Sequence, residues 1–386
     1  MTAQRAREQR TSEQRAAQSC ALARIPPPVP STVAPVLPST RRHSHPERLE
    51  RNPTSVIAEA RDVQETLDAL ITGTLHPLEA PTEAAWSAIW HRRQIGSRQP
   101  FLSAILGGAL ADRLAWVFAA GYQAALARIF PELPMDDDWA CLAVSEDPPG
   151  ASRPGSEDPD APAPAAARPA VTLTADGAWF RLSGVKTWIA ASDHVRNLVV
   201  GVGSGEDQLF AIVERDAPGV TIDTGPRRPF LGDLSQGVAH FEDVLVGPDR
   251  IVERPRRARL FGVAEPLHVH TALNAFILAH TTTAPRAGGE PAAPAAPPEL
   301  AGRALASIVA ATGAASIHPG YRGVNLALVG LDAQTRATAD LFEAWIETAD
   351  PALHRRWLID RRLVDMFTAG ILRREEKLRA EARTRS

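Results

Sequence analysis

The chain has 386 residues, 44% of them apolar and 23% charged, with a net charge of −3. That length suggests two or three structural units, and that apolar content is enough for a sizeable core. The near-neutral balance gives no electrostatic case for nucleic acid or an anionic membrane surface, and no apolar run approaches the roughly 20 residues needed to span a bilayer.

Residues 1–45 carry seven arginines against two acidic residues, followed by a proline run at 26, 27, 28, 30, 35 and 38. No apolar stretch precedes a cleavage site, so the segment is not a secretory signal. The Arg-rich, acid-poor composition is compatible with a transit peptide, but the prolines oppose an amphipathic helix. Residues 1–50 therefore read as a disordered Arg/Pro-rich tail. The two cysteines, Cys20 and Cys141, are too far apart for a CxxC pair and suggest neither a zinc cluster nor a disulfide framework. A reducing, cytoplasmic compartment fits them.

Residues 51–135 read as an N-terminal helical domain. Val56, Ile57, Val63, Leu67, Leu70 and Ile71 recur at mostly three- and four-residue steps. A second helix over 82–90 puts Trp86 and Trp90 on one face. A long apolar helix is predicted over 103–129, and its paired glycines, Gly107 and Gly108, suggest close approach of another backbone. Residues 136–252 read as a β domain. Its runs at 139–144, 171–173, 179–182, 186–190, 198–202, 209–213, 220–223, 238–241 and 244–246 are short and rich in Val, Ile, Thr and aromatics. Turn signals at Asp176-Gly177 and at 205–207 predict hairpins, and the set predicts a small antiparallel barrel or sandwich. The Pro/Ala-rich stretch 147–169 reads as a flexible loop. Residues 253–386 read as a C-terminal helical bundle: 256–282 with Pro266 inside, 300–311, 331–348 and 351–383, interrupted by a Pro/Ala-rich break at 284–298. The fold class is thus α+β, ordered helices, β domain, helices.

Four segments give that order a more specific meaning. Leu182-Ser183-Gly184-Val185-Lys186-Thr187-Trp188-Ile189 resembles the x-G-x-K-x-W-I pattern of acyl-CoA dehydrogenases. Phe210-Ala211-Ile212-Val213 with Pro218-Gly219-Val220 resembles the family's FLV…PGV segment, and Phe241-Glu242-Asp243-Val244-Leu245-Val246 resembles its F-x-D-V-x-V strand. Upstream, Leu142-Ala143-Val144-Ser145-Glu146 resembles the A-x-T-E strand and turn, with Ser152 near the serine that follows it. The resemblance implies FAD as cofactor. Trp188 would form an apolar wall against the ring, with Ser145, Ser152 and the backbone at Ile189 and Ala190 supplying polar contacts. It also implies an acyl-CoA or other acyl thioester as substrate, an electron acceptor protein, and a homo-dimer or tetramer.

The chain departs from the family in three places. Position 190 is Ala where the family usually has Thr or Ser, which removes a hydroxyl worth on the order of 0.5–1.5 kcal/mol. The motifs that reach a neighbouring subunit's FAD, and the closing G-E-G-T turn, have no counterpart. The third departure concerns the base. Dehydrogenation of an acyl thioester needs a carboxylate to take the α-proton, and Glu265 falls near the position used by isovaleryl-type members. Pro266 follows it where the family has Arg, so a first-turn acidic residue at a restarted helix is the competing reading. His268 and His270, two apart on a helix, do not share a face for a metal. Three functions stay open. The leading one is an FAD-dependent α,β-dehydrogenase of an acyl thioester, with hydride transfer to flavin N5. A catalytically degenerate binding or assembly protein is second, and an oxygen-using flavin monooxygenase or oxidase relative is third.

Overall fold

The computed structural model describes residues 53–384 apart from 135, 147–168, 205–207, 254–255 and 283–293. The N-terminal tail, most of the loop predicted at 147–169 with Ser152, the turn at 205–207 and most of the break at 284–298 lie outside the described residues.

The chain opens with α1 (Pro53–Ile71) and α2 (Glu83–Arg92). Thr82 caps α2 by accepting the Ala85 N–H at 3.2 Å, which satisfies one of the helix's orphan donors. Trp86 and Trp90 are both buried, and Trp86 stacks on Trp116 with ring centres 6.0 Å apart. The single helix expected over 103–129 is two: α3 (Pro100–Leu110) and α4 (Leu114–Ile129). Ala111 and Arg113 are extended between them. The break lets Arg113 reach both Asp112 and, at 3.1 Å, Asp233, 120 residues along the chain. A partner so distant in sequence left no local mark.

Among the described residues eight strands follow: β1 (Trp139–Ala143), β2 (Thr172–Asp176), β3 (Trp179–Ala190), β4 (Val195–Val202), β5 (Leu209–Glu214), β6 (Val220–Thr224), β7 (Gln236–Val246) and β8 (Ile251–Val252). They form two four-stranded sheets, ordered β1-β4-β5-β8 and β2-β3-β7-β6. The sheets share one apolar core through Leu182, Ile189, Leu198, Phe210, Ala239 and Phe241; of the two expected arrangements, barrel or sandwich, they do not close into the barrel. Nor is the pairing wholly antiparallel, because β1 runs parallel to β4. Between these two strands the chain crosses to the other sheet and back, so β4 arrives in the direction of β1. The runs expected at 179–182 and 186–190 are one strand, carried through a register shift at Gly184, whose φ is +132°. A Cβ there would lie 2.6 Å from the Ala170 carbonyl oxygen, so only glycine admits the crossing backbone.

The free edge of β1 is closed by side chains of α4. Gln123 both donates to the Ala140 carbonyl at 2.8 Å and accepts the Ala140 N–H at 2.9 Å, while the Tyr122 hydroxyl accepts the Leu142 N–H at 2.9 Å. Backbone groups that an edge strand would expose are thereby paired.

The C-terminal half contains α5 (Arg257–Thr282), α6 (Pro298–Ala315), α7 (Arg322–Ala349), α8 (Pro351–Asp360) and α9 (Thr368–Arg383). The long helix expected over 351–383 is broken by a 3₁₀ turn at Arg361–Asp365. The turn directs Arg361 onto Asp340, Glu343 and Asp365, and puts Arg362 4.1 Å from the Phe230 ring centre. No described helix is long and apolar enough to cross a membrane.

Helix α5 is buried on nearly every face. Its first residue, Arg257, is buried, donates to the Ile129 carbonyl at 2.6 Å, and grips the Glu132 carboxylate through both terminal nitrogens. Glu132→Gln leaves that guanidinium with an unneutralised charge. The expected cost in urea denaturation lies below the roughly 3–5 kcal/mol of a fully buried pair, because Glu132 is one-third exposed. A loss under about 0.5 kcal/mol would show that the pair does not hold α4 to α5.

Candidate active site

Trp188, near the end of β3, has a half-buried ring. Its indole N–H donates to the Gln236 side-chain carbonyl at 3.1 Å, and the Gln236 amide donates on to the Phe230 carbonyl at 3.3 Å. The segment around Phe230 is fixed at two further points. The buried Asp360 carboxylate accepts the Leu231 N–H at 2.6 Å. The buried Glu83 carboxylate accepts the Ser235 N–H at 2.7 Å and its hydroxyl at 2.9 Å. Burial raises the pKa of both carboxyls. The indole is thus oriented by a chain of contacts that ends on helices α2 and α8.

Ser145 lies just beyond β1 and is exposed, as is Val144. Its carbonyl accepts the Thr187 N–H at 2.9 Å, so Ser145 and Trp188 sit side by side on adjoining backbone. The adjoining salt bridge of Glu146 with the buried Lys186 pins the turn. Burial lowers the Lys186 pKa, against the opposing pull of Glu146. Ile189 and Ala190 are buried beneath this shelf, and the Ala190 N–H donates to the Cys141 thiol at 3.3 Å.

Glu265 comes to the same region from α5. Phe261, one turn earlier, meets Tyr122 edge to face at 5.5 Å between ring centres, and Tyr122 meets Trp188 the same way at 6.2 Å. Glu265 lies within electrostatic reach of Tyr122 on one side and of Arg374, from α9, on the other. Burial of its carboxyl pushes its pKa up to about 7, only partly opposed by the Arg374 charge. A carboxylate tuned to neutral pH is suited to taking and returning a proton. Pro266 does not restart the helix, because α5 runs through it. Glu265 is therefore a mid-helix residue and does not occupy a first turn.

Glu265 and Trp188, widely separated in the chain, are joined through Tyr122 and Phe261, and Ser145 adjoins Trp188. Tyr122, Gln236 and Arg374 carried no motif. Each matters through a partner on another element, which a linear pattern does not record. His268 and His270 point elsewhere in the bundle. His268 Nδ1 lies 2.7 Å from the Ala264 carbonyl, and His270 lies 3.3 Å from Asp332.

No family model matches the sequence, and no curated protein matches it. Solved structures do. An FAD-dependent dehydrogenase shares 14% identity, with 81% of this chain and 97% of that chain covered and a TM-score of 0.53. PigA, solved with FAD and proline, shares 11% identity over 83% and 98%, with a TM-score of 0.55. FkbI, from biosynthesis of the methoxymalonyl extender unit of Fk520, shares 14% over 84% and 99%, with a TM-score of 0.51. This chain therefore has an acyl-CoA dehydrogenase-like fold, spanned over nearly the whole length of those structures.

Proposed function

We propose that this chain, built on the acyl-CoA dehydrogenase-like fold, is a flavin-dependent oxidoreductase in which Glu265 is the base. The observation that carries the reading is the position of Glu265: half-buried, tuned to about 7, and linked by Tyr122 and Phe261 to the Trp188 wall. A flavin ring suits that shelf in two respects. Trp188 offers an apolar face held in orientation by Gln236, and the exposed Ser145 offers a hydroxyl beside it. The Ala190 N–H is engaged by a thiol, a weak acceptor that a better one displaces at small cost. FAD, when bound, supplies the acceptor for a hydride at N5. The chain's own work is then to hold the reacting carbon against Glu265, to exclude water with Phe261 and Tyr122, and to keep the proton on the Glu265 carboxyl. The leading reaction is α,β-dehydrogenation of an acyl thioester, followed by re-oxidation by an electron acceptor protein. Cytoplasmic placement and association into a homo-dimer or tetramer belong to the same proposal. The exposed Val309 and Leu326 on α6 and α7 support association.

A second reading, a catalytically degenerate binding protein, is favoured by the buried and engaged Ala190 N–H and the missing hydroxyl at that position. The visible spectrum after reconstitution with FAD separates the two, because a colourless protein ends the enzyme reading. Oxygen uptake without formation of an unsaturated acyl product would move the assignment to an oxygen-using flavin enzyme. Ser145→Ala tests the shelf itself. One lost hydrogen bond of about 0.5–1.5 kcal/mol weakens flavin binding roughly two- to tenfold, and unchanged affinity would remove Ser145 from the site.

A further inference from the structure

Glu265 faces two very different neighbours. On the side of α3 and α4 the helices are in backbone contact with α5. A Cβ at Gly121 would lie 2.5 Å from the Val269 Cα, and one at Gly108 would lie 2.1 Å from the Ala272 carbonyl oxygen. Val269 is one turn beyond Glu265 on α5, and Ala272 nearly two. The seam that leads from Glu265 along α5, between it and α3 and α4, is therefore shut by packed backbone, with the Phe118, Tyr122 and Phe261 rings packed together beside it. A substrate whose α-carbon sits at Glu265 has no room to lay a long alkyl tail there.

On the α9 side stands Arg374, half-buried. Among the described residues it makes no hydrogen bond and no ion pair, although Glu265 is near enough to act on its charge. Its guanidinium rests over Gly262, one turn before Glu265 on the same face of α5, and over Gly370 of its own helix. A Cβ at either glycine would lie 3.7 Å from its Nη1. The other charges facing this corner are Glu265 itself and Arg373, and burial and Arg373 both lower the Arg374 pKa. By contrast, Arg257 is engaged by the Glu132 carboxylate and Arg361 by that of Glu343. A half-buried guanidinium with its planar donors uncommitted is suited to a carboxylate brought by a ligand.

We infer that Arg374 is a specificity-determining residue that binds a carboxylate on the substrate, and that the site takes a compact carbon acid bearing that anion and excludes a long-chain acyl group. The inference rests on the reading of Glu265 as the reacting end of the site. It adds a substrate class: a short acid thioester with a distal carboxylate, or another small carboxylate of similar reach.

The test is titration calorimetry of the full chain, with and without added FAD, using N-acetylcysteamine thioesters that carry no phosphate: succinyl, butyryl and octanoyl. The succinyl thioester is expected to bind at least about tenfold more tightly than the butyryl, a charge-assisted hydrogen bond being worth that much. The octanoyl compound is expected to bind no better than the butyryl. Arg374→Gln abolishes the succinyl preference, and Arg374→Lys, which keeps the charge, restores part of it. Affinity that climbs with each added methylene overturns the closed seam. A succinyl preference that survives Arg374→Gln, or no saturable binding of any of the three, overturns the assignment of Arg374. A chain that binds the succinyl compound but no FAD sinks the flavin reading and leaves this one standing.

Discussion

Glu265→Gln is expected to lower the rate of flavin reduction by about 10²–10⁴-fold, the usual contribution of a positioned acid or base, while making the protein more stable at alkaline pH. The two effects have one cause. Burial raises the Glu265 pKa from its ordinary 4.5 to about 7. The folded state then holds a proton that the unfolded state has released, throughout the window between those values. Stability is lost as pH rises through that window, and the loss is complete above about 7. At about 1.4 kcal/mol per unit, the upper limit is about 3 kcal/mol. Glutamine carries no charge at any pH. The variant should therefore match the wild type below about pH 4.5 and exceed it by up to about 3 kcal/mol at pH 8, read from urea midpoints. In the wild type, kcat/KM should rise with pH through about 7 as the carboxylate forms, and the residual activity of the variant should lack that limb. A Gln variant that reduces flavin normally would remove Glu265 as the base, and one destabilised equally at pH 5 and pH 8 would remove it as the group whose titration sets the stability.

The residues that made this site legible in the sequence are those whose meaning is local. Leu182–Ile189 is a strand segment read off as a string, and Glu265 is singled out because it falls near the position of the base in isovaleryl-type members of the family it resembles. Tyr122 was invisible for the opposite reason. Its hydroxyl closes the edge of β1 and its ring joins Trp188 to Phe261, so its role is set by two elements far along the chain. Arg374 lies on a C-terminal helix with several other arginines, and nothing in the sequence there marks the guanidinium that comes to lie beside Glu265. The same distinction explains the fold. Periodicity placed the helices and strands, but the breaks at Ala111–Arg113 and Arg361–Asp365 answer to Asp233 and to Asp340 and Glu343, which periodicity does not contain. The barrel failed for a similar reason. Strand spacing counts strands, whereas closure depends on pairing across the gap, and the strands here pair as two separate sheets.

The glycines of the seam give the second large prediction. Gly108→Ala should destabilise the protein and silence the site together, whereas Gly302→Ala, the same substitution on α6, should be neutral or stabilising. Both positions are helical, and alanine favours a helix by about 1 kcal/mol over glycine. At Gly302 nothing lies within 4 Å of the new methyl, so the propensity gain stands. At Gly108 the methyl would lie 2.1 Å from the Ala272 carbonyl oxygen, which belongs to the backbone of α5 and cannot rotate away. The helices must separate, at a cost of the order of 1–3 kcal/mol or more for an overpacked core, which outweighs the gain. The separation also moves α5, and Glu265 with it. A displacement near 1 Å at the reacting group costs about 10²-fold in rate. The activity loss should therefore exceed what partial unfolding explains, and it should persist at temperatures where circular dichroism shows the variant folded. If Gly108→Ala and Gly302→Ala behave alike, α3 and α5 are not in backbone contact, and the closed seam that restricts the substrate beside Glu265 is lost with it.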